Sequence, residues 1–90
     1  MLTVYSRAGC GLCDELLARL RALCAGQPVR IEIKVVDVDA DPVLHRRYGL
    51  DVPLLFAGDE ELCRHRLDAA AVQAWLRQQM PPAGGQGQPV

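Results

Sequence analysis

Two cysteines, Cys10 and Cys13, stand three residues apart where a strand-type pattern gives way to a helical one. Leu2 to Ser6 alternates, with Leu2, Val4 and Ser6 on one side and Thr3 and Tyr5 on the other, and Arg7-Ala8-Gly9 closes it. From Gly11 to about Ala25 the apolar residues Leu12, Cys13, Leu16, Leu17, Leu20, Leu23 and Cys24 recur at helical spacing. Asp14 and Glu15 open that helix and Arg19 and Arg21 follow, as the helix dipole favours, with Gly26 and Pro28 as the stop. The thiol pair is therefore expected at the very start of a helix that directly follows a strand.

The remaining patterns extend this unit. Arg30 to Val36 reads as a half-buried strand with Ile31, Ile33 and Val35 inward, and its outward charges suit a sheet edge. Asp37 to Pro42 is a turn into a second helix, with Asp41 as N-cap, Pro42 in the first position, Tyr48 near the end and Gly49 as terminator. Pro53 to Ala57 is a short buried strand, Gly58-Asp59 a hairpin turn, and Glu60 to Arg66 the returning strand. Asp68 then caps a last helix through Val72, Trp75 and Leu76. At 90 residues the chain has material for a single hydrophobic core. The expected fold is α/β in the order βαβαββα: a four-stranded mixed sheet with three covering helices, over residues 1–79. Residues 80–90, rich in Gly and Pro and without charge, are expected to form a flexible tail.

The position of the thiols dictates their chemistry. Unpaired backbone N–H groups and the positive end of the helix dipole converge on the first turn, so a thiolate at Cys10 is stabilised and its pKa is expected below the free value of ~8.5. Cys10 is the candidate nucleophile. Cys13 shares a face with Leu16, Leu17, Leu20 and Cys24, which turns its sulfur inward yet within reach of Cys10, so it is the candidate resolving thiol. Thiol–disulfide exchange needs that division of labour, one thiolate to attack and a second to release the mixed disulfide. Arg7 adds positive charge nearby and Asp14 works against it. The plain alternative is two small residues packing at a helix start. Cys24 reads as a buried hydrophobe and Cys63, opposite in direction to Leu62 and Arg64, as core or a partly exposed thiol. His45 and His65 read as solvated surface residues.

Pro53 cannot donate to a sheet ladder, so it belongs at the strand's first residue, either as an ordinary trans proline or with a cis Val52–Pro53 bond. Taken together, Tyr5-Ser6-Arg7-Ala8-Gly9-Cys10-Gly11-Leu12-Cys13-Asp14, Val36-Asp37-Val38-Asp39-Ala40-Asp41-Pro42 and Tyr48-Gly49-Leu50-Asp51-Val52-Pro53-Leu54-Leu55-Phe56 resemble the glutaredoxin-like branch of the thioredoxin and glutaredoxin superfamily. The resemblance covers about residues 1–79. It implies a cis proline at Pro53 facing the Cys10–Cys13 pair, Cys10 as attacking and Cys13 as resolving cysteine, and Val52 backbone groups that bind an extended thiol peptide or glutathione. Asp68 would contact the amino group of glutathione, or serve only as an N-cap; Arg7, Val52, Pro53 and Asp68 form the candidate substrate-binding set. The chain departs from the family in carrying Gly11-Leu12 where glutaredoxins have Pro-Tyr, His65-Arg66-Leu67 where they have a Gly-Gly pair, and Ala8-Gly9 where thioredoxins have tryptophan. Close approach of a ligand to backbone usually needs glycine, so glutathione is expected as a possible co-substrate and not as a bound cofactor.

The rival readings are a soft-metal module, in which the thiolate pair holds Cu(I) or Zn, and a thioredoxin-fold protein that binds without turnover. Metal-chaperone domains follow the first helix with two consecutive strands, whereas Asp39 to Tyr48 reads as a helix, and no second paired ligand set stands at zinc spacing. No metal is therefore expected. Ten basic and eleven acidic residues are interspersed, for a net charge of −1, so the basic footprint of nucleic-acid binding is missing. No apolar run approaches the ~20 residues that span a bilayer, and no leader pattern precedes the first strand, so a cytoplasmic, monomeric protein acting on protein or low-molecular-weight disulfides is expected.

Overall fold

The alternation in Leu2–Ser6 (β1) sends Leu2, Val4 and Ser6 into the interior and leaves Thr3 and Tyr5 half-buried on the opposite face. Such a strand needs cover on both faces and partners on both edges, and it has them. In the computed structural model, which describes residues 1–79, the strands Ile33–Asp37 (β2), Leu54–Ala57 (β3) and Glu60–Arg64 (β4) join β1 in a sheet of order β2-β1-β3-β4. β2 runs parallel to β1, while β3 runs antiparallel to both β1 and β4. The expected C-terminal tail at 80–90 lies outside the described residues, and none of the described helices is long and apolar enough to cross a membrane.

Helices Gly11–Ala25 (α1) and Ala69–Gln79 (α3) cover one face. Their inward residues Leu16, Leu20, Cys24, Val72 and Leu76 meet Leu2, Val4 and Leu55 from the sheet, with Leu67 from the loop before α3. Burying one leucine of this cluster is worth about 2 kcal/mol. The other face carries Tyr5 and Phe56, whose rings meet at 5.5 Å, and the Tyr48 ring at 4.9 Å from Tyr5 and 6.0 Å from Phe56. Tyr48 ends the short helix Pro42–Tyr48 (α2), which has no fully buried residue of its own. Its caps are as expected: the Asp41 carboxylate accepts from the Val43 N–H at 2.8 Å, Pro42 occupies the first turn, and the Gly49 N–H donates to His45 O at 2.9 Å.

Two local expectations need correction. The second strand begins at Ile33 and not at Arg30, and Val35, expected inward, is 43% exposed on this edge strand. The last strand ends at Arg64 and not at Arg66. A register irregularity opposite Leu55 and Phe56 breaks its alternation, so Leu62 and Cys63 both pack against the core instead of facing opposite ways. The turn between β2 and α2 contains a 3-10 segment, Val38–Ala40, which places Val38 fully inside.

Candidate functional site

The topology gathers one set of chain ends. Because Tyr5 pairs with Leu54 and Leu54 with Arg64, the exit of β1, the entry of β3 and the exit of β4 share one end of the sheet. The N-termini of α1 and α3 follow directly from β1 and β4, so they lie at that end too.

Cys10 is the N-cap of α1. Its backbone is extended, its carbonyl accepts from Asp14 N–H at 3.1 Å, and its Sγ accepts from Cys13 N–H at 3.1 Å, which satisfies one of the first-turn donors left over by helix geometry. Cys10 is half-buried and Cys13 fully buried, the inward orientation that the apolar face of α1 demands. The two sulfurs are joined in a disulfide across a Cα–Cα distance of 5.2 Å. That separation lies within the ordinary disulfide range of about 4.4–6.8 Å. The positive end of the α1 dipole therefore falls on Cys10.

At the entry of β3 the Val52–Pro53 peptide is cis, Pro53 is buried and Val52 half-buried. The Pro53 carbonyl accepts from His65 N–H at 2.7 Å, which ties the loop after β4 to the proline. Among the described residues the Val52 N–H and C=O have no protein hydrogen-bond partner. Asp68 caps α3: its Oδ1 accepts from Ala71 N–H at 3.1 Å and its carbonyl from Val72 N–H at 3.1 Å. Its side chain is exposed at the same end of the sheet as the disulfide.

Arg7 sits just before the disulfide loop, but its guanidinium is occupied. Nε and Nη2 donate to the two carboxylate oxygens of Asp39 at 3.2 and 3.1 Å, and Nη1 donates to Gly49 O at 3.0 Å. Arg7 thus fastens the β1 exit to the 3-10 segment and to the turn at Gly49–Val52 that leads into Pro53. His45 adds a contact to Asp39 at 3.5 Å. Sequence reading missed Asp39 and Gly49 here; the signal was the parallel pairing of Ser6 with Asp37, which brings the residues just beyond both strands side by side.

A second polar cluster braces the other flank. Arg64 donates to Glu61 at 2.6 and 2.8 Å and lies 3.3 Å from Asp51, and His65 reaches Asp51 at 3.8 Å. The Arg64 hydrogen bonds hold the Glu61 carboxyl below its usual range and raise Arg64 in turn. Of the thiols outside the disulfide, burial pushes Cys24 up, and burial likewise pushes Cys63 up against the opposing Asp68 N–H. Among the described residues no group of three or more His, Cys, Asp or Glu side chains is placed to hold a metal ion.

A model of the family described as Glutaredoxin-like domain (DUF836) matches residues 1–77. Among solved structures, a Nitrosomonas europaea protein determined by solution NMR is 41% identical, with TM-score 0.71 over 82% of this chain and 87% of its own. An X. campestris protein determined by X-ray crystallography is 30% identical, with TM-score 0.66 over 89% of this chain and 100% of its own. E. coli glutaredoxin, at 16% identity and TM-score 0.52 over 88% of this chain and 95% of its own, shares the fold. No curated protein matches the chain. With the βαβαββα order, the mixed sheet and this match over most of its length, the chain belongs to the glutaredoxin-like family.

Proposed function

We propose that the protein is a thiol–disulfide oxidoreductase working through Cys10 and Cys13. The observation that carries this reading is the pair itself: a disulfide at the N-terminus of α1, with Cys10 half-exposed as N-cap and Cys13 buried behind it. In the reduced protein the Cys10 thiolate attacks a sulfur of the substrate disulfide. A Cys10–substrate S–S bond forms as the substrate S–S bond breaks, and the first substrate thiolate leaves and takes up a proton. The Cys13 thiolate then attacks the Cys10 sulfur, forming the Cys10–Cys13 disulfide and expelling the second substrate thiolate. Two electrons pass from the dithiol to the substrate, and a thiol or dithiol reductant returns them.

The unpartnered backbone of Val52, beside the cis Pro53, supports binding of the substrate as an extended segment whose main chain pairs with Val52. Asp68, exposed at the same end, is available to an amino group, the role that glutathione would use. The test is a pair of variants assayed with a disulfide substrate. Cys10→Ser is expected to abolish exchange, and Cys13→Ser to accumulate a mixed disulfide that mass spectrometry locates on Cys10. Full activity in Cys10→Ser would overturn the assignment.

A further inference from the structure

The loop His65-Arg66-Leu67 occupies the flank of the dithiol where a ligand would approach Leu12. Its backbone is fixed: His65 N–H donates to Pro53 O at 2.7 Å, Arg66 N–H donates to Arg64 O at 2.8 Å, and the Leu67 side chain is buried in the core. His65 has φ 69°, a left-handed conformation that costs a non-glycine residue of order 1 kcal/mol. The chain thus carries side chains at a strained position where glycine would be cheaper.

Those side chains nearly fill the space between the loop and α1. The crevice lined by Leu12, Glu15, Arg19, His65 and Arg66 has a volume of about 10 Å³. Room for one water takes about that volume, whereas small-molecule sites typically enclose ~300 Å³ or more. Hollows of about 290 and 400 Å³ do occur, but they lie around Val29, Arg30 and Ile31 at the opposite end of the sheet.

The rim of the crevice is unbalanced in charge. It carries the two guanidinium groups of Arg19 and Arg66 against the one carboxylate Glu15, while His65 faces Asp51 at 3.8 Å. Among the described residues Arg19 and Arg66 form no ion pair, whereas Arg7 and Arg64, on either side of the site, are both paired. The positive end of α1 adds to the same field. Leu12, within the CxxC sequence, lines this rim and is 38% exposed, and Leu50, on the turn that leads to Val52, is 96% exposed.

Resting on the dithiol reading above, we propose that the substrate is an extended polypeptide disulfide with a carboxylate side chain next to its cysteine, and that Arg66 recognises that carboxylate with Arg19 behind it. The segment lies along Val52, with its apolar side chains on Leu12 and Leu50, and the rigid loop holds the Arg66 guanidinium ready without ordering at the moment of binding.

The experiment uses pre-reduced full-length protein in single turnover, quenched by alkylation and read by mass. Two disulfide-linked peptides are compared, identical except for Glu or Lys beside the cysteine, with glutathione disulfide and neutral bis-hydroxyethyl disulfide as references. Wild type is expected to reduce the Glu peptide roughly fivefold faster than the Lys peptide at low salt, with the ratio collapsing at high salt. Arg66→Glu is expected to invert the ratio. An equal ratio in wild type and Arg66→Glu overturns the inference, as does glutathione disulfide outpacing the Glu peptide. Wild type that reduces the neutral disulfide without preferring the Glu peptide overturns this inference alone. Wild type that reduces none of the four substrates overturns the dithiol reading and the inference with it.

Discussion

Replacing Arg7 by Ala removes three hydrogen bonds that join distant segments, and the structure sets the size of the effect. The two bonds to Asp39 form an ion pair whose side chains are 34% and 38% exposed. Solvent screening holds such a pair to about 0.2–1 kcal/mol. The bond to Gly49 O differs, because the donor is charged and Gly49 is buried. A hydrogen bond of that type is worth about 1.5–3 kcal/mol, and without Arg7 the carbonyl loses its partner. The sum is about 2–4 kcal/mol, a large part of the ~5–15 kcal/mol that holds a domain together. At this chain length the midpoint of thermal unfolding falls by roughly 10–30 °C. Asp39→Asn keeps the Gly49 bond and should lose only a few degrees, and Arg7→Lys, a point charge that cannot bridge both partners, should recover only part of the loss. Circular dichroism melts at fixed redox state measure all three. Because the clamped turn carries Val52, Arg7→Ala should also raise KM for a polypeptide disulfide more than it lowers kcat. A melting shift under about 2 °C for Arg7→Ala, or an equal shift for Asp39→Asn, would refute the clamp.

Gly49→Ala brings a Cβ to 2.5 Å from the His45 carbonyl oxygen, a backbone contact that cannot yield cheaply, so urea unfolding should show a loss of about 1–3 kcal/mol; a neutral result would mean that the end of α2 is not held where it is seen. The free thiols supply a pH prediction. Burial raises Cys24 and Cys63 above the ordinary thiol range, so each stays protonated to higher pH and is a poor nucleophile at neutrality. In reduced protein iodoacetamide should therefore label Cys10 first, then half-buried Cys63 as the pH rises, and buried Cys24 last. Labelling of Cys24 or Cys63 as fast as Cys10 at neutral pH would contradict this ordering.

Much of this architecture is written in local signals. The alternation of Leu2 to Ser6, the helical spacing after Gly11, and the cap formed by Asp41 and Pro42 with the stop at Gly49 each depend on neighbours a few residues away, and each stands as read. The thiol pair was legible for the same reason, since its meaning comes from a strand before it and a helix after it. The resemblance supplied the cis bond at Pro53, which spacing alone left open. What escaped reading depends on partners far apart in sequence. The irregularity that turns both Leu62 and Cys63 inward arises from register against β3, and the exposure of Val35 goes with the edge position of β2 in the sheet. Arg7, read from sequence as a charge near the thiols and a candidate substrate contact, is committed to Asp39 and Gly49, 32 and 42 residues away. His65 in a left-handed conformation has no local signature, because its cost is offset by the loop it completes.

The central claim is that Cys10 and Cys13 exchange electrons as a pair. Its most direct test equilibrates the pure, metal-free protein across glutathione redox buffers, quenches with an alkylating agent and maps the modified peptides by mass. The account predicts a reversible Cys10–Cys13 disulfide with a single midpoint, while Cys24 and Cys63 stay as thiols throughout. Free Cys10 and Cys13, both alkylated even in the most oxidising buffer, would contradict it.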